Sequence, residues 1–389
     1  MKTTIRDIIR FCINCIAWIC FHVFLILPID NHKVYFRAFH GKKYGCNPKY
    51  LFLHMLEAYG DKYKYVWKLE DDTRIIPGAK VVKNHTFSSF IEIMTSKFII
   101  TNNDFMWWVP LRKNQVMLET WHGGGAYKRV GTYEKWNLPR LWEQKLNAKK
   151  VTHYISSSRK FTEVQAPSKW ISEDMFINTG MPRNEVFFYP QRMNLFKQKV
   201  YEHFGLPFHS DLKIILYAPT YRGLTGYKEV GKDIKITPDY KRLLNALEQK
   251  YDGKWILFFR SHYFDSSLIE QLPDSVVDAT KYEDMQELLC AADVLVTDYS
   301  SSMWDFGLTG RPCFLYAPDL QQYIAERGFY TDPFSWPFPM AQNDFELTQN
   351  ILEFDQDAYE KALDKHYTDY GSYENKDACA KVCEAIGIQ

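Results

Sequence analysis

The residue types best suited to chemistry in the first half of the chain stand in the run Glu-Thr-Trp-His-Gly-Gly-Gly at 119–125. The neutral imidazole of a histidine such as His122 can take a proton from a hydroxyl group near pH 7. The glycines that follow, Gly123 and Gly124 among them, let backbone N–H groups approach an anion closely. The run therefore favours either a base beside a bound anion or a structural turn whose histidine bonds a neighbouring carbonyl group.

Three polar groups in the second half also follow apolar runs. Arg260 and His262 stand two residues apart and can converge on one phosphate, the arginine by a two-pronged hydrogen bond. Thr220 and Arg222 add a hydroxyl group and a second guanidinium. The stretch 298–302 offers hydroxyl groups and the N–H groups of a helix start, through Asp298, Ser300 and Ser301. The alternatives are a surface Arg-His pair and a plain serine N-cap, but taken together the groups fit a diphosphate.

Several classes of protein are disfavoured by the composition and by missing motifs. The formal net charge is +1, which gives no overall electrostatic case for nucleic acid. The chain contains neither Gly-x-x-x-x-Gly-Lys-Ser/Thr nor Gly-x-Gly-x-x-Gly nor His-Glu-x-x-His. The acidic run at 70–72 has the character of a solvated strand end. We therefore predict neither a protein-bound metal nor another cofactor.

Short apolar runs alternate with helix-like stretches, which predicts βαβ units and parallel sheets. Helices are predicted at 47–59, 240–248 and 285–291, and strands at 33–38, 65–69, 98–101, 115–120, 152–156, 213–217, 255–259, 294–297 and 313–316. Most of the strands end in polar, glycine or basic residues, and parallel sheets bind ligands at this edge. The prediction is an α/β chain of two Rossmann-like domains facing a cleft, with boundaries at 1–29, 30–200 and 201–389.

Residues 11–27 form an apolar run without charged side chains, preceded by Arg6 and Arg10. A membrane-spanning helix needs about 17–25 apolar residues, so the run lies at the short end of that range. The sequence after Leu27 does not have the small residues of a signal-peptidase site. An anchor lying in the membrane interface is favoured over a spanning helix, a signal peptide or a buried helix.

The ordered motifs resemble the CDP-glycerol glycerophosphotransferases, the family of teichoic-acid primases and polymerases. The resemblance runs from about residue 33 to the C-terminus. It is carried by Trp-His-Gly at 121–123, by Tyr-Ala-Pro-Thr-Tyr-Arg at 217–222 and by Asp-Tyr-Ser-Ser at 298–301. Arg311-Pro312 and Arg327-Gly328-Phe329-Tyr330 continue the last block. The chain departs from the family pattern at Gly124-Gly125, where the family has Thr-Pro, and at the residues flanking His262.

The resemblance implies a GT-B-like fold and transfer of glycerol phosphate from CDP-glycerol with release of CMP. It implies that His122 is the base, that His262 and Arg260 hold the diphosphate, and that Asp298, Ser300 and Ser301 bind the donor phosphates or ribose. Thr220, Arg222, Arg327 and the two glycines complete the predicted substrate-binding set. Glycerol, ribitol and other polyols all remain possible as the transferred unit. The acceptor, the polymer and the oligomeric state also stay open.

The resemblance further implies a peripheral enzyme at the cytoplasmic face of the membrane that acts on a lipid-diphosphate-linked acceptor. Basic and aromatic residues are mixed over 128–150, which suits an anionic membrane surface or an amphipathic helix on the protein surface. Two other functions stay open. A sugar-transferring GT-B enzyme using a nucleotide sugar would have the same fold, and a non-catalytic membrane scaffold is the third hypothesis.

Overall fold

A computed structural model describes residues 2–208, 211–220, 237–261, 273 and 276–389. The chain divides into two compact units. Unit 1 comprises Met1–His122, Val130–Glu185 and Tyr373–Gln389, and unit 2 comprises Gly123–Arg129 and Val186–Ser372. The predicted ranges 30–200 and 201–389 are continuous in sequence, whereas unit 1 takes back Tyr373–Gln389 and unit 2 includes Gly123–Arg129.

Unit 1 is a parallel sheet with helices around it, in the strand order β3-β2-β1-β4-β5-β6-β7. The strands are β1 (Asp30–Arg37), β2 (Lys64–Leu69), β3 (Ala79–Lys83), β4 (Ser96–Thr101), β5 (Val116–Glu119), β6 (His153–Ser156) and β7 (Phe176–Asn178). The helices are α1 (Lys2–Phe21), α2 (Cys46–Tyr59), α3 (Phe87–Thr95), α4 (Leu138–Ala148), α5 (Arg159–Lys169) and α13 (Ala378–Ala385). All neighbouring strands pair in parallel.

Both faces of the first sheet are covered, which is typical of parallel sheets. On one face Phe36 stacks on Trp67 at 5.3 Å and both rings contact Phe52 of α2. The opposite face carries a second apolar cluster that includes Tyr35 and Ile99. Near-continuous apolar strands follow from this double burial, and this explains why the sequence predicts the central strands well.

Unit 2 contains a second parallel sheet, in the strand order β10-β9-β8-β11-β12-β13. The strands are β8 (Leu212–Tyr217), β9 (Lys254–Phe259), β10 (Val276–Asp278), β11 (Val294–Thr297), β12 (Cys313–Tyr316) and β13 (Met340–Ala341). The helices are α6 (Pro190–His203), α7 (Tyr240–Lys250), α8 (Met285–Ala291), α9 (Ser302–Gly307), α10 (Leu320–Glu326), α11 (Asp344–Leu352) and α12 (Gln356–Tyr370). Two such parallel α/β units confirm the predicted Rossmann-like fold class.

Side-chain caps fix where many of the helices begin. Asp239 accepts a hydrogen bond from Arg242 N at the start of α7, and Asp355 does the same with Ala358 N at α12. In unit 1, Ser158 accepts from Phe161 N at the start of α5. Such a cap satisfies a backbone N–H group that the helix cannot bond itself, and removing one costs about 1 kcal/mol.

The core of unit 2 buries a histidine on α12. His366 is 6% exposed, its Nε2 atom lies 2.9 Å from Tyr127 Oη, and its ring is 4.1 Å from that of Tyr370. Burial lowers the pKa of His366 to about 4. Because the unfolded chain binds a proton near pH 6.5 and the folded chain does not, acid favours unfolding.

We expect the free energy of unfolding to fall by about 2 kcal/mol through His366 alone between pH 7 and pH 5. The sign follows from the lowered pKa of His366. The folding stability that depends on the neutral imidazole is fully present above pH 6.5 and is lost as the pH falls toward 4. Urea denaturation at both pH values measures it. The variant His366→Gln should reduce the pH dependence by this amount, whereas His203→Gln, at the exposed end of α6, should not. Equal pH dependence in wild type and His366→Gln would contradict the assignment.

Candidate active site

His122 lies three residues beyond β5, at the carboxyl edge of the first sheet. Its Nδ1 atom is 2.9 Å from the backbone carbonyl oxygen of Asn102, which follows β4. A carbonyl oxygen only accepts hydrogen bonds, so Nδ1 carries the proton and donates it. The neutral ring therefore keeps its lone pair on Nε2, which is the arrangement a proton-accepting base requires.

The backbone before His122 is held by a buried asparagine from another element. Asn47 on α2 is 0% exposed and donates through Nδ2 to the carbonyl oxygens of Thr120, at 2.9 Å, and Trp121, at 3.2 Å. Its Oδ1 atom accepts from Arg183 N at 3.1 Å, and Arg183 Nη1 donates to His122 O at 2.8 Å. This network holds Trp121 in the left-handed region, at a φ of 50°, where non-glycine residues are uncommon.

Burial, together with two nearby cations, keeps the imidazole of His122 neutral. Burial lowers the pKa of His122 to about 4, and the cations Arg183 and Lys169 lower it further, against the opposing effect of the Asn102 carbonyl. Lys169 also lies over the Trp121 ring, with Nζ 4.2 Å from the ring centre. A histidine that is unprotonated at neutral pH can accept a proton there without first losing one.

We expect Asn47→Ala to lower the free energy of unfolding by about 3 kcal/mol, because buried carbonyl groups and a buried N–H group lose their partner. Any reaction rate that depends on His122 as a base should fall as well, since the backbone that positions His122 is released. Denaturant titration and a steady-state rate assay measure the two effects. Asn350→Ala is the matched control, because Asn350 Nδ2 makes one bond, to Met340 O at 3.0 Å. If Asn47→Ala behaves like Asn350→Ala, the network does not position His122.

In unit 2, three neighbouring strands bring predicted residues to one sheet edge. The carboxylate of Asp298, after β11, accepts the backbone N–H of Thr220, after β8, at 2.9 Å, and also that of Tyr299. Arg260 follows β9 and donates its backbone N–H to Tyr217 O at 2.9 Å. The structure therefore places Thr220 and Asp298 in direct contact and Arg260 on the adjacent strand.

Within the part of the chain that the structure describes, the guanidinium of Arg260 makes one weak hydrogen bond. Its Nη2 atom is 3.4 Å from Glu283 O, and its Nη1 atom is buried without a hydrogen-bond partner among the described residues. Burial lowers the pKa of Arg260 to about 10, so the side chain is still positively charged at neutral pH. A buried cation with an unsatisfied N–H group is well suited to bind an anionic oxygen.

The other predicted residues are placed as follows. Ser300 Oγ accepts from Ser302 N at 3.3 Å, and Ser301 precedes α9 without a side-chain cap bond. Arg327 Nε donates to Arg129 O at 3.4 Å. Gly123 and Gly124 begin the short segment of unit 2 that ends at Arg129. Arg222 and His262 lie outside the described residues.

Four residues that bond to or act on the His122 region were not singled out in the sequence: Asn47, Asn102, Lys169 and Arg183. The strand-end position of Asn102 was the one available signal, because it directly follows a predicted strand. The other three reach His122 from distant points of the chain, and local sequence carries no sign of that proximity.

Within the described ranges, one group of side chains has ligand atoms close enough together to hold a metal ion. His54 on α2, Glu185 and Cys379 on α13 have ligand atoms within 4.8 Å of one another. The Glu185 carboxylate already accepts the backbone N–H of Cys379 at 2.8 Å. The group connects α13 with α2 and Glu185 inside unit 1 and contains none of the predicted site residues.

Residues 19–387 match the family model described as CDP-Glycerol:Poly(glycerophosphate) glycerophosphotransferase. A teichoic acid glycerol-phosphate transferase of Staphylococcus aureus is 28% identical over 99% of this chain and 99% of its own length. A teichoic acid poly(glycerol phosphate) polymerase of Staphylococcus epidermidis is 28% identical over 92% of this chain, which spans about half (51%) of that relative.

Solved structures agree with these sequence comparisons. A histidine variant of the wall teichoic acid polymerase TagF soaked with CDPG superimposes with a TM-score of 0.82 at 25% identity, covering 100% of this chain and 98% of that chain. A UDP-GlcNAc 2-epimerase from Neisseria meningitidis has a TM-score of 0.52 at 11% identity, over 92% of this chain and 99% of that chain. The second likeness concerns the fold alone.

Proposed function

The chain belongs to the CDP-glycerol:poly(glycerophosphate) glycerophosphotransferase family, and we propose that it transfers glycerol phosphate, or a related polyol phosphate, from CDP-glycerol to a teichoic-acid-type acceptor. The observation that carries the proposal is the neutral His122, whose Nε2 lone pair is left free by the bond from Nδ1 to Asn102 O. An acceptor hydroxyl group needs such a base when it attacks phosphorus.

The proposed reaction is a single phosphoryl displacement. The oxygen of the acceptor hydroxyl attacks the β-phosphorus of CDP-glycerol, and His122 takes the hydroxyl proton. The bond from this phosphorus to the bridging oxygen breaks, and CMP leaves with the electron pair. Arg260 would stabilise the charge on the diphosphate, with Arg222 and His262 as further proposed groups. Phosphoryl transfer depends chiefly on such positioning and charge stabilisation.

Some of the proposed donor-binding residues act by holding the loops in place. Because both oxygens of Asp298 accept from Thr220 N, this carboxylate joins the ends of β8 and β11. We propose that Asp298 positions Thr220, while Thr220, Ser300, Ser301 and Arg327 contribute to binding the donor. The predicted roles of Gly123 and Gly124 beside an anion stay part of the proposal.

A donor screen tests this function. Purified chain is incubated with a lipid-linked acceptor and one donor at a time. The donors are CDP-glycerol, CDP-ribitol and nucleotide sugars, and the mass of the lipid product is measured. The expected result is CMP release together with a product heavier by one or more polyol-phosphate units. Transfer from a nucleotide sugar with release of a nucleoside diphosphate, and none from either CDP-polyol, would show a glycosyltransferase instead.

We also propose that α1 anchors the chain to the membrane as a helix lying in the interface. By length and composition, Ile5–Ile26 is apolar enough to cross a membrane, but one side of α1 is bound to unit 1. Asp7 is 3% exposed and accepts from Asn137 Nδ2 at 2.8 Å, and Arg10 pairs with Glu143 on α4. Phe11 stacks on Trp107 at 5.2 Å.

The opposite side of α1 is an exposed apolar stripe, in which Ile16 and Ile19 are 62% and 66% exposed. A cavity of about 530 Å³ adjoins this helix, lined by residues that include Trp18, Trp107, Arg112, Lys113, Lys149 and Lys150. Apolar and aromatic side chains flanked by cations suit the boundary between acyl chains and anionic headgroups. A cytoplasmic position follows from the proposed CDP-activated donor.

Flotation with anionic vesicles tests the anchor. Ile16→Glu with Ile19→Glu should abolish vesicle binding, because two charges would have to enter the acyl boundary. Leu195→Glu, at a 62% exposed leucine on α6, is the matched control and should leave binding unchanged. A wild-type chain that resists extraction from membranes by alkaline carbonate would contradict interfacial anchoring and indicate a spanning helix.

A further inference from the structure

A buried polar row crosses the first sheet at its carboxyl edge. Arg37 on β1 pairs in register with Thr101 on β4, and Thr101 pairs with Glu119 on β5. Lys68 on β2 extends the row, one residue beyond the Phe36–Trp67 pair. Arg37 is 4% exposed, Lys68 is 1% exposed and Glu119 is 3% exposed. Buried polar side chains of this kind are unusual in a parallel sheet that is covered on both faces.

The two cations of this row bond neutral groups. Lys68 Nζ lies 3.8 Å from Met106 Sδ, and Arg37 donates to Asp104 O at 3.2 Å and to His40 Nδ1 at 2.7 Å. Arg37 Nε is buried without a hydrogen-bond partner in the part of the chain that the structure describes. No ion pair involves Arg37 or Lys68 among these residues.

Burial lowers the pKa of Arg37 although the nearby charges of Glu119 and Asp104 raise it, so the neighbouring carboxyl groups offset the burial of the row only in part. Burial and the charge of Asp104 raise the pKa of Glu119 to about 8, so this carboxyl group is mostly protonated at pH 7. Asp104 itself lies 3.6 Å from Lys169 Nζ. Burial, reinforced by Arg37, lowers the pKa of Lys68 to about 7. An arginine and a partly protonated lysine, buried side by side with no salt bridge to either among the described residues, cost free energy that a bound anion would recover.

The backbone beside the cations is held in an uncommon conformation. Phe39 and His40 follow β1 with φ angles of 47° and 59°, a left-handed pair of non-glycine residues that occurs mainly where surrounding structure enforces it. The turn is fixed by Asn102, whose Oδ1 accepts from Phe39 N at 2.8 Å. The His40 side chain is exposed, so the turn reaches from solvent to the Arg37 guanidinium.

The same asparagine connects this turn to the proposed base. Asn102 bonds Phe39 N through its side chain and His122 Nδ1 through its backbone carbonyl, at 2.9 Å. The rings of Phe39 and His122 are 6.2 Å apart. An anion beside Arg37 and His40 would therefore lie close to His122, within unit 1.

We propose that Arg37, Lys68 and His40 form an anion subsite that binds a phosphate group of the acceptor. The proposal rests on the proposed function, and it assigns the acceptor's phosphodiester or diphosphate to unit 1, apart from the donor-binding residues proposed in unit 2. The bound phosphate would bring the acceptor hydroxyl toward His122. Arg37 supplies a fixed charge, and Lys68 would gain its proton fully as the anion binds.

The test is titration of inorganic pyrophosphate into the full chain by calorimetry, in an Arg260→Ala background that removes the proposed donor arginine. Lys68→Met should weaken pyrophosphate binding at least tenfold, and Lys68→Arg should restore most of it. Lys64→Met is the matched control, because Lys64 begins the same strand with a 72% exposed side chain paired to Asp30. It should bind like the background.

Thermal unfolding without ligand separates a binding role from a structural one. Since Met fills a similar volume without a charge, Lys68→Met should unfold at the same or a higher temperature than the background. Unchanged pyrophosphate affinity in Lys68→Met, or a lower unfolding temperature, would overturn the subsite. If Lys68→Met loses pyrophosphate binding while the Arg260-intact chain turns over no CDP-polyol, the subsite stands and the proposed function fails.

Discussion

Replacement of His122 with alanine is expected to reduce CMP release from CDP-glycerol by about 10²–10⁴-fold, the usual contribution of a general base. The KM for the donor should change little, because the residues proposed to bind it lie in unit 2. The substitution removes one hydrogen bond, to Asn102 O at 2.9 Å, so the fold should tolerate it. Steady-state kinetics with a lipid-linked acceptor measures both quantities.

The dependence of the rate on pH is a second test of His122 as the base. Because burial lowers the pKa of His122 to about 4, the base is unprotonated across the neutral range. The wild-type rate should therefore be flat from about pH 6 to pH 8 as far as His122 is concerned, and fall as the pH approaches 4. His32→Ala, at an exposed histidine near the start of β1, is the control. Full CMP release by His122→Ala would exclude His122 as the base.

Replacement of Arg260 with alanine is expected to lower kcat/KM for CDP-glycerol by about 100-fold. Two charge-assisted hydrogen bonds to the diphosphate would supply about 3 kcal/mol, and each 1.4 kcal/mol is a factor of ten. The Nη1 atom is buried and has no hydrogen-bond partner among the described residues, and this gives the physical basis, since the atom is available to an anionic oxygen. Arg260→Lys should recover part of the loss, because an ammonium group cannot form the two-pronged bond.

A second arginine in unit 2 distinguishes donor binding from stability. Arg311 belongs to the family-like block, yet its guanidinium donates to the carbonyl oxygens of Leu289, Cys290 and Ala292 at the end of α8. Arg311→Ala should therefore lower the free energy of unfolding without a specific rise in the donor KM. If Arg260→Ala shows the same pattern as Arg311→Ala, then Arg260 is structural and does not bind the diphosphate.

Local sequence determined the central strands and their polar ends. The strands Val294–Thr297 and Cys313–Tyr316 and the helix Met285–Ala291 have the predicted bounds. The strands that the sequence did not predict are β3, β7, β10 and β13, and these are the edge strands of the two sheets. An edge strand is short and half-exposed, so it lacks the continuous apolar run that marks a central one.

Periodicity and local motifs carry the class of fold, the family and the positions of His122 and Arg260 at strand ends, so these could be predicted from the sequence. Other features arise only when the chain folds. Three such features join distant residues: the return of Tyr373–Gln389 to unit 1, the support of the backbone before His122 by Asn47, and the pairing of Arg37 with Thr101 at the end of β4. Such contacts depend on register and on the closure of long loops, which no short window of sequence encodes.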